Sequence, residues 1–81
     1  MALSLEVTFY GENGEELETR LFGNLNQAKT VAKEVNAVGM VVYDAEEDQE
    51  NHYLMGGVRK SWYLSEPRLF ERQMNRFRSK R

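Results

Sequence analysis

The first third of the chain alternates between apolar and polar side chains. Residues 3–10 place Leu5, Val7 and Phe9 on one side and polar residues on the other, which predicts a strand with one buried face. Residues 17–22 alternate in the same way. The two segments are therefore predicted to pair as a β-hairpin with a shared apolar face.

The length of the turn between these segments sets their register. A two-residue Asn-Gly turn would pair Tyr10 with Leu17 and so set a polar face against an apolar one. A three-residue turn that ends at Gly14 pairs Phe9 with Leu17 and keeps one face apolar. The sequence predicts this longer turn, with a G1-type bulge and a left-handed backbone at Gly14.

A helical pattern follows the hairpin. Asn24 and Gln27 stand three residues apart and have the form of a capping box. Leu25 and Ala28 begin an apolar stripe that ends before Gly39. Small residues in this stripe allow a close approach to a sheet, so we expect a helix with a structural role.

The middle of the chain predicts further strands. Residues 40–45 form a short, continuous β-prone run, which is typical of an interior strand. Residues 52–55 form another, which a Gly-Gly pair ends. Residues 58–64 fit either a fifth strand paired across this glycine turn or an extended arm that carries Trp62 towards the core, and we favour the strand.

The last predicted element is a helix at about residues 66–79. Ser65 is a good N-cap, Glu66 suits the positive end of the helix dipole, and Pro67 loses no hydrogen bond in the first turn. Four apolar residues recur at three- and four-residue spacing, so one side of the helix should dock on the rest of the domain. They are Leu69, Phe70, Met74 and Phe77.

The elements follow the order ββαβ(ββ)α and predict an α+β fold. We expect a two-layer domain in which an antiparallel sheet of four to five strands carries both helices on one face. With 81 residues, the chain is expected to form a single domain, 1–81. The predicted core contains Leu5, Val7, Phe9, Leu17, Leu21, Leu25, Val31, Val35, Val42, Leu54, Phe70, Met74 and Phe77.

Charge divides the chain into two opposed parts. Residues 1–58 contain eleven acidic and three basic residues, a net charge of −8, whereas residues 59–81 contain eight basic and two acidic residues, a net charge of +6. The whole-chain charge of −2 conceals this division. The asymmetry indicates binding rather than catalysis.

Most of the positive charge belongs to the last predicted helix. Spacing of four residues aligns its cations as a stripe on the helix surface. This basic stripe consists of Arg68, Arg72, Arg76 and Lys80 at that spacing, together with Arg78. It is either a solvated face or a contact surface for phosphates or an acidic partner. Trp62 and Tyr63, just before the helix, are candidates for base stacking, with core packing of Trp62 as the alternative.

The negative charge includes a dense cluster before the fourth predicted strand. This acidic patch consists of Asp44, Glu46, Glu47, Asp48 and Glu50. The cluster lacks the glycine and the flanking helices of an EF-hand, which argues against calcium. It is either a solvated hairpin tip or, together with the acidic first hairpin, a mimic of nucleic-acid phosphates.

Candidate chemistry is sparse. The chain has one histidine, His52, and no cysteine, and it lacks the spacing motifs of nucleophilic, phosphate-loop and zinc sites. His52 with a glutamate and Arg59 is the one acid–base set that the residues offer, with RNA as its substrate. We expect no enzymatic activity, no metal and no cofactor.

The sequence also bears on location and partners. The absence of cysteine excludes disulfides and favours the cytoplasm. The longest apolar stretch, residues 40–43, is too short to span a bilayer, so no membrane partner is expected. The leading hypothesis is a small protein-binding module, an adaptor or an inhibitor, whose opposed acidic and basic surfaces orient another protein. Self-association through these surfaces and nucleic-acid binding by the basic helix are the alternatives.

Overall fold

The computed structural model describes residues 3–56 and 61–79 and shows one five-stranded antiparallel sheet with two helices. Along the chain the elements are β1 (Leu5–Tyr10), β2 (Glu16–Phe22), α1 (Leu25–Glu34), β3 (Gly39–Asp44), β4 (Gln49–Gly56), β5 (Ser61–Ser65) and α2 (Pro67–Arg78). The strands lie in the order β2-β1-β3-β4-β5. The predicted α+β fold with an antiparallel sheet is confirmed, including the fifth strand.

The turn of the β1–β2 hairpin has the predicted form. The Gly11 N–H donates to the Glu15 carbonyl at 2.9 Å, and the Gly14 N–H donates to the Gly11 carbonyl at the same distance. Gly14 has a φ of +73°. This is a three-residue turn with a G1-type bulge, in which glycine occupies the left-handed position at low cost.

A second bulge, at Leu17, then moves the register by one residue. Tyr10 pairs with Glu16, but Phe9 pairs with Glu18. The predicted pairing of Phe9 with Leu17 is therefore wrong, because β2 contains one residue more than β1 opposite this point.

The shifted register decides which residues of β2 are buried. Phe22 lies opposite Leu5 and is buried, with its ring edge-on to that of Phe9 at a centroid distance of 6.0 Å. Leu17 and Leu21, which were predicted to be in the core, are 40% and 56% exposed. A shift of one residue turns each side chain of the strand to the other face. Phe22 is therefore buried, and the two leucines face solvent.

Helix α1 covers the face of the sheet that contains Val7 and Phe9. The Asn24 side chain accepts a hydrogen bond from the Gln27 N–H at 2.9 Å, which confirms the predicted N-cap. Ala28 is fully buried against this face. Its small side chain allows the helix to approach the strands closely.

Helix α2 lies on the opposite face. Phe70 and Met74 are fully buried with Leu54, and Tyr10 packs against this group. Tyr10 follows Phe9 in β1, and successive side chains of a strand point to opposite faces. The predicted placement of both helices on one face is therefore wrong, and the sheet lies between α1 and α2.

The apolar composition of β3 accounts for this arrangement. Met40 and Val42 belong to the cluster under α1, whereas Val41 packs under α2. At Gly39 a Cβ atom would lie 2.9 Å from the Phe70 ring, so the glycine leaves room for α2. A strand that is apolar on both faces is stable only when both are covered.

Tyr10 links this packing to pH. Its ring lies edge-on to Phe70 at a centroid distance of 5.2 Å. Burial raises the pKa of the Tyr10 hydroxyl, the carboxylates of Glu16 and Glu71 raise it further, and Arg78 partly offsets them. Because the pKa is higher in the folded than in the unfolded protein, this tyrosine contributes stability below pH 10, and that contribution is lost as the pH rises through the folded-state pKa.

We expect the free energy of unfolding to fall more steeply above about pH 10 in the wild type than in Tyr10→Phe. Urea denaturation at about pH 8 and about pH 10.5 measures the difference. Tyr63→Phe, at an exposed tyrosine, is the control and should follow the wild type. An equal loss of stability in wild type and Tyr10→Phe would contradict the assignment.

Candidate functional site

The outer face of α2 carries three exposed arginines, Arg68, Arg72 and Arg76. Within residues 3–56 and 61–79, their guanidinium groups make no hydrogen bond or ion pair. The opposite side of the same helix holds the buried Phe70 and Met74. The helix thus has one side that fixes it to the sheet and another that presents cations to solvent.

A shallow depression lies in this outer face. Arg68 and Arg72 line it together with Glu71, Asn75 and Pro67. It therefore offers two guanidinium groups and one carboxylate to a ligand. A surface of this kind pairs with a partner that carries both acidic and basic groups.

Arg78 has a different environment from the rest of the basic stripe. Its Nε donates to the Gly14 carbonyl at 2.9 Å, and its Nη1 donates to Asn75 Oδ1 at 3.0 Å. The side chain thereby joins the end of α2 to the β1–β2 turn. Lys80, the last predicted member of the stripe, lies outside the described residues.

The acidic patch lies at the β3–β4 turn, where the side chains of two of its members accept hydrogen bonds. Asp44 Oδ1 accepts hydrogen bonds from the N–H groups of Glu46 and Glu47 at 3.0 and 3.3 Å. Asp48 has a φ of +50° and accepts a hydrogen bond from the Tyr43 hydroxyl at 2.7 Å. This hydrogen bond raises the pKa of Tyr43. The turn therefore presents Glu46 and Glu47 as exposed carboxylates on an ordered backbone.

Glu50, the last residue of the acidic patch, lies beside His52. The Glu50 Oε1 atom is 3.5 Å from His52 Nε2. His52 is buried under α2, with its ring 5.1 Å from that of Phe70 and its Nδ1 unpartnered among the described atoms. Arg59, the third member of the predicted acid–base set, lies outside the described residues. The histidine ring is thus part of the contact between α2 and the sheet.

Trp62 and Tyr63 point to opposite faces of the sheet because they are neighbours in β5. Trp62 packs against the core cluster under α1 and lines a groove of about 760 Å³ beside Ala32 and Met55. Tyr63 is 51% exposed on the face of α2. The two aromatic rings therefore do not form a joint stacking platform.

The register of the sheet places the two acidic hairpins at opposite ends. Tyr10, at the β1–β2 turn, pairs with Gly39, whereas Leu5 pairs with Asp44 at the β3–β4 turn. The Arg78 end of α2 lies against the β1–β2 turn. One end of the sheet is therefore acidic, and the other combines the acidic first hairpin with the basic end of α2. The two hairpins do not form one surface that mimics nucleic acid.

Searches for metal sites, membrane spans and relatives add no further site. In the described part of the chain, no group of three or more histidine, aspartate and glutamate residues has the geometry to hold a metal ion. Neither described helix is long and apolar enough to cross a membrane. Comparisons of the chain with protein-family models, curated proteins and solved structures give no match.

Proposed function

We propose that this protein is a non-enzymatic protein-binding module that recognises its partner through the outer face of α2. The observation that carries the proposal is the set of three exposed guanidinium groups without a partner in the described residues. Arg68, Arg72 and Arg76 are held on a helix whose other side is buried, so the spacing of their backbone positions is fixed before binding. Acidic side chains of a partner protein complement them.

The composition of this face favours a protein over a nucleic acid. Glu71 lies between Arg68 and Arg72 in the depression, where its carboxylate would repel a phosphate backbone. Arg78 is engaged with Gly14, and the ring of Trp62 lies on the other face of the sheet. A surface for single-stranded nucleic acid combines cations and aromatic rings in one groove. The described residues that line the depression between Arg68 and Arg72 include no aromatic ring.

The acidic patch at the far end of the sheet supports a role in orientation. Glu46 and Glu47 are exposed at a turn that lies away from the basic end of α2. An acidic end and an end of mixed charge give the domain an uneven potential, which steers a partner into one orientation and raises the rate of encounter. An adaptor or an inhibitor fits this description, and the cytoplasmic location remains a prediction.

A peptide library tests the proposal without knowledge of the partner. Random peptides displayed on phage are selected on the wild-type protein, and the enriched peptides are synthesised and titrated. We expect sequences rich in aspartate and glutamate, with affinity reduced about 10-fold by Arg68→Gln, Arg72→Gln and Arg76→Gln together, since exposed ion pairs contribute roughly 0.2 to 1 kcal/mol each. Lys29→Gln with Lys33→Gln is the control and should bind like the wild type.

Nucleic-acid binding by α2 is the alternative that the same variants test. Labelled single- and double-stranded DNA and RNA are titrated at low and near-physiological salt. Saturable binding whose salt slope falls by about 0.7 to 0.9 for each lost arginine would overturn the protein-binding proposal. Enrichment of peptides that bind the triple variant as tightly as the wild type would also overturn it.

A further inference from the structure

Strand β5 forms one edge of the sheet, with no further strand beside it in residues 3–56 and 61–79. Met55 in β4 donates its N–H to the Val38 carbonyl, which lies on the β3 side. Successive residues of a strand direct their backbone groups to opposite sides, so the neighbouring Leu54 directs its N–H and C=O towards β5. Leu54 is opposite Tyr63 in β5. Trp62 and Leu64 therefore direct their N–H and C=O groups away from β4. These groups lie on the outer edge of the described sheet.

The other edge of the sheet has more protection against pairing than β5 has. Strand β2 carries Glu16, Glu18 and Arg20, and the bulge at Leu17 interrupts its pairing. Charges and bulges are two of the features that keep an edge strand from pairing with another chain. Ser61–Ser65 contains no charged residue, and Tyr63 and Leu64 are 51% and 64% exposed on its two faces. Its short length is the only such feature that β5 retains.

The sequence of β5 is complementary to itself. It reads Ser-Trp-Tyr-Leu-Ser, with Tyr63 at its centre. An antiparallel copy centred on Tyr63 places Trp62 opposite Leu64 of the second copy, on the same face of the joined sheet. The outward backbone groups of Trp62 and Leu64 then meet as hydrogen-bonded pairs, and the two Tyr63 residues meet as a non-hydrogen-bonded pair.

The charges that flank β5 in the sequence fit the same arrangement. Arg59 and Lys60 precede the strand and Glu66 follows it. When two copies of this sequence are aligned antiparallel about Tyr63, the basic residues before the strand in one copy are set against the acidic residue after it in the other, and opposite charges favour such an alignment. A second copy of the chain therefore matches β5 in backbone pattern, side-chain pattern and charge.

We propose that two copies of this protein associate by antiparallel pairing of β5 about a two-fold axis at Tyr63. The two five-stranded sheets join into one continuous sheet of ten strands. Leu64, exposed in the single chain, packs beside Trp62 of the second copy. The pairing uses the backbone groups of Trp62 and Leu64 and none of the three arginines of the proposed binding face, so separate variants test the two proposals.

Sedimentation equilibrium over a range of protein concentrations tests the pairing. The wild type should dimerise, and Leu64→Lys and Leu64→Pro should each weaken dimerisation by about 10-fold or more. Proline at position 64 removes an N–H that points away from β4, so it leaves the hydrogen bonds within the sheet intact. Leu21→Lys, on the edge strand β2, changes a comparably exposed leucine and should dimerise like the wild type.

Covalent trapping tests the register directly. The chain has no cysteine, so Tyr63→Cys introduces one thiol at the two-fold axis. Opposite residues of a non-hydrogen-bonded pair lie close enough for a disulfide, so mild oxidation should give a covalent homodimer. Leu21→Cys is the control and should remain monomeric under the same conditions.

Three results would overturn the proposal. The first is a wild type that stays monomeric up to about 1 mM, a concentration at which an association with a Kd of about 1 mM would already be measurable. The second is equal dimerisation by the wild type and both Leu64 variants. The third is equal cross-linking by Tyr63→Cys and Leu21→Cys. Circular dichroism of each variant confirms that it is folded. If a Leu64 variant is unfolded, the cysteine pair decides the question alone. A wild type that stays monomeric but adds an extended peptide at β5 would assign the edge to a different protein.

Discussion

Phe70→Ala should destabilise the protein by about 3 to 5 kcal/mol, which is a large part of the stability of a domain of this size. Phe70 is fully buried, and its ring contacts Tyr10 and His52 edge-on at 5.2 and 5.1 Å. Its removal leaves a cavity at the centre of the contact between α2 and the sheet. Chemical denaturation followed by circular dichroism measures the loss.

Leu69→Ala is the matched control for Phe70→Ala. Leu69 is the preceding residue of α2 and is 50% exposed. Its truncation removes a side chain from the same turn of the helix without opening a cavity, so the expected loss is about 1 kcal/mol or less. Similar losses in the two variants would mean that α2 is not fixed to the sheet through Phe70.

Gly14→Ala should be the second most destabilising of the proposed substitutions, with an expected loss of about 2 to 5 kcal/mol. The left-handed backbone at φ +73° contributes about 1 to 2 kcal/mol once a Cβ atom is present. The new methyl group would also collide with the Met74 carbonyl oxygen and lie 2.8 Å from Arg78 Cγ, which adds about 1 to 3 kcal/mol. Chemical denaturation measures the loss.

Gly23→Ala separates these effects from the general cost of replacing a glycine. Gly23 lacks a positive φ, and a Cβ atom there would lie 3.7 Å or more from its neighbours. We expect Gly23→Ala to leave the free energy of unfolding within about 0.5 kcal/mol of the wild type. If Gly14→Ala were equally mild, the β1–β2 turn would not support the end of α2.

The hydrophobic pattern predicted the elements but not the placement of the second helix. Alternation in residues 3–10 led to β1, and the three- and four-residue spacing after Pro67 led to α2. The run Met40-Val41-Val42 already contained the signal for two covered faces, because apolar residues occupied both sides of β3. A two-layer fold, with both helices on one face of the sheet, covers only one of these two sides of β3.

The register of the hairpin was beyond the reach of a local pattern. The alternation in residues 17–22 fits two arrangements equally well. In one, Leu17 and Leu21 face the core, and in the other, Phe22 faces it. Tertiary packing decides between them, because Phe22 gains contact with Phe9 and with the cluster under α1. The bulge at Leu17 makes this burial compatible with the favourable turn at Gly14.

The candidate site was predictable only as far as the spacing within one helix determines it. Exposure of Arg68, Arg72 and Arg76 follows from helical spacing and from the position of the buried residues. The engagement of Arg78 could not be predicted, since its acceptor, the Gly14 carbonyl, is 64 residues away in the sequence. Periodicity reports on the face of one helix and contains no information about such a distant partner.

The hydrogen bond between Arg78 and Gly14 also has a consequence for the order of folding during synthesis. The ribosome completes β1 and its turn long before it adds α2, so the Gly14 carbonyl precedes its Arg78 donor by 64 residues of synthesis. Tyr10, Val41 and Leu54 therefore remain without their cover until the last residues of α2 leave the ribosome. Until then these apolar side chains lack their final contacts, and exposed apolar surface on an incomplete chain promotes aggregation.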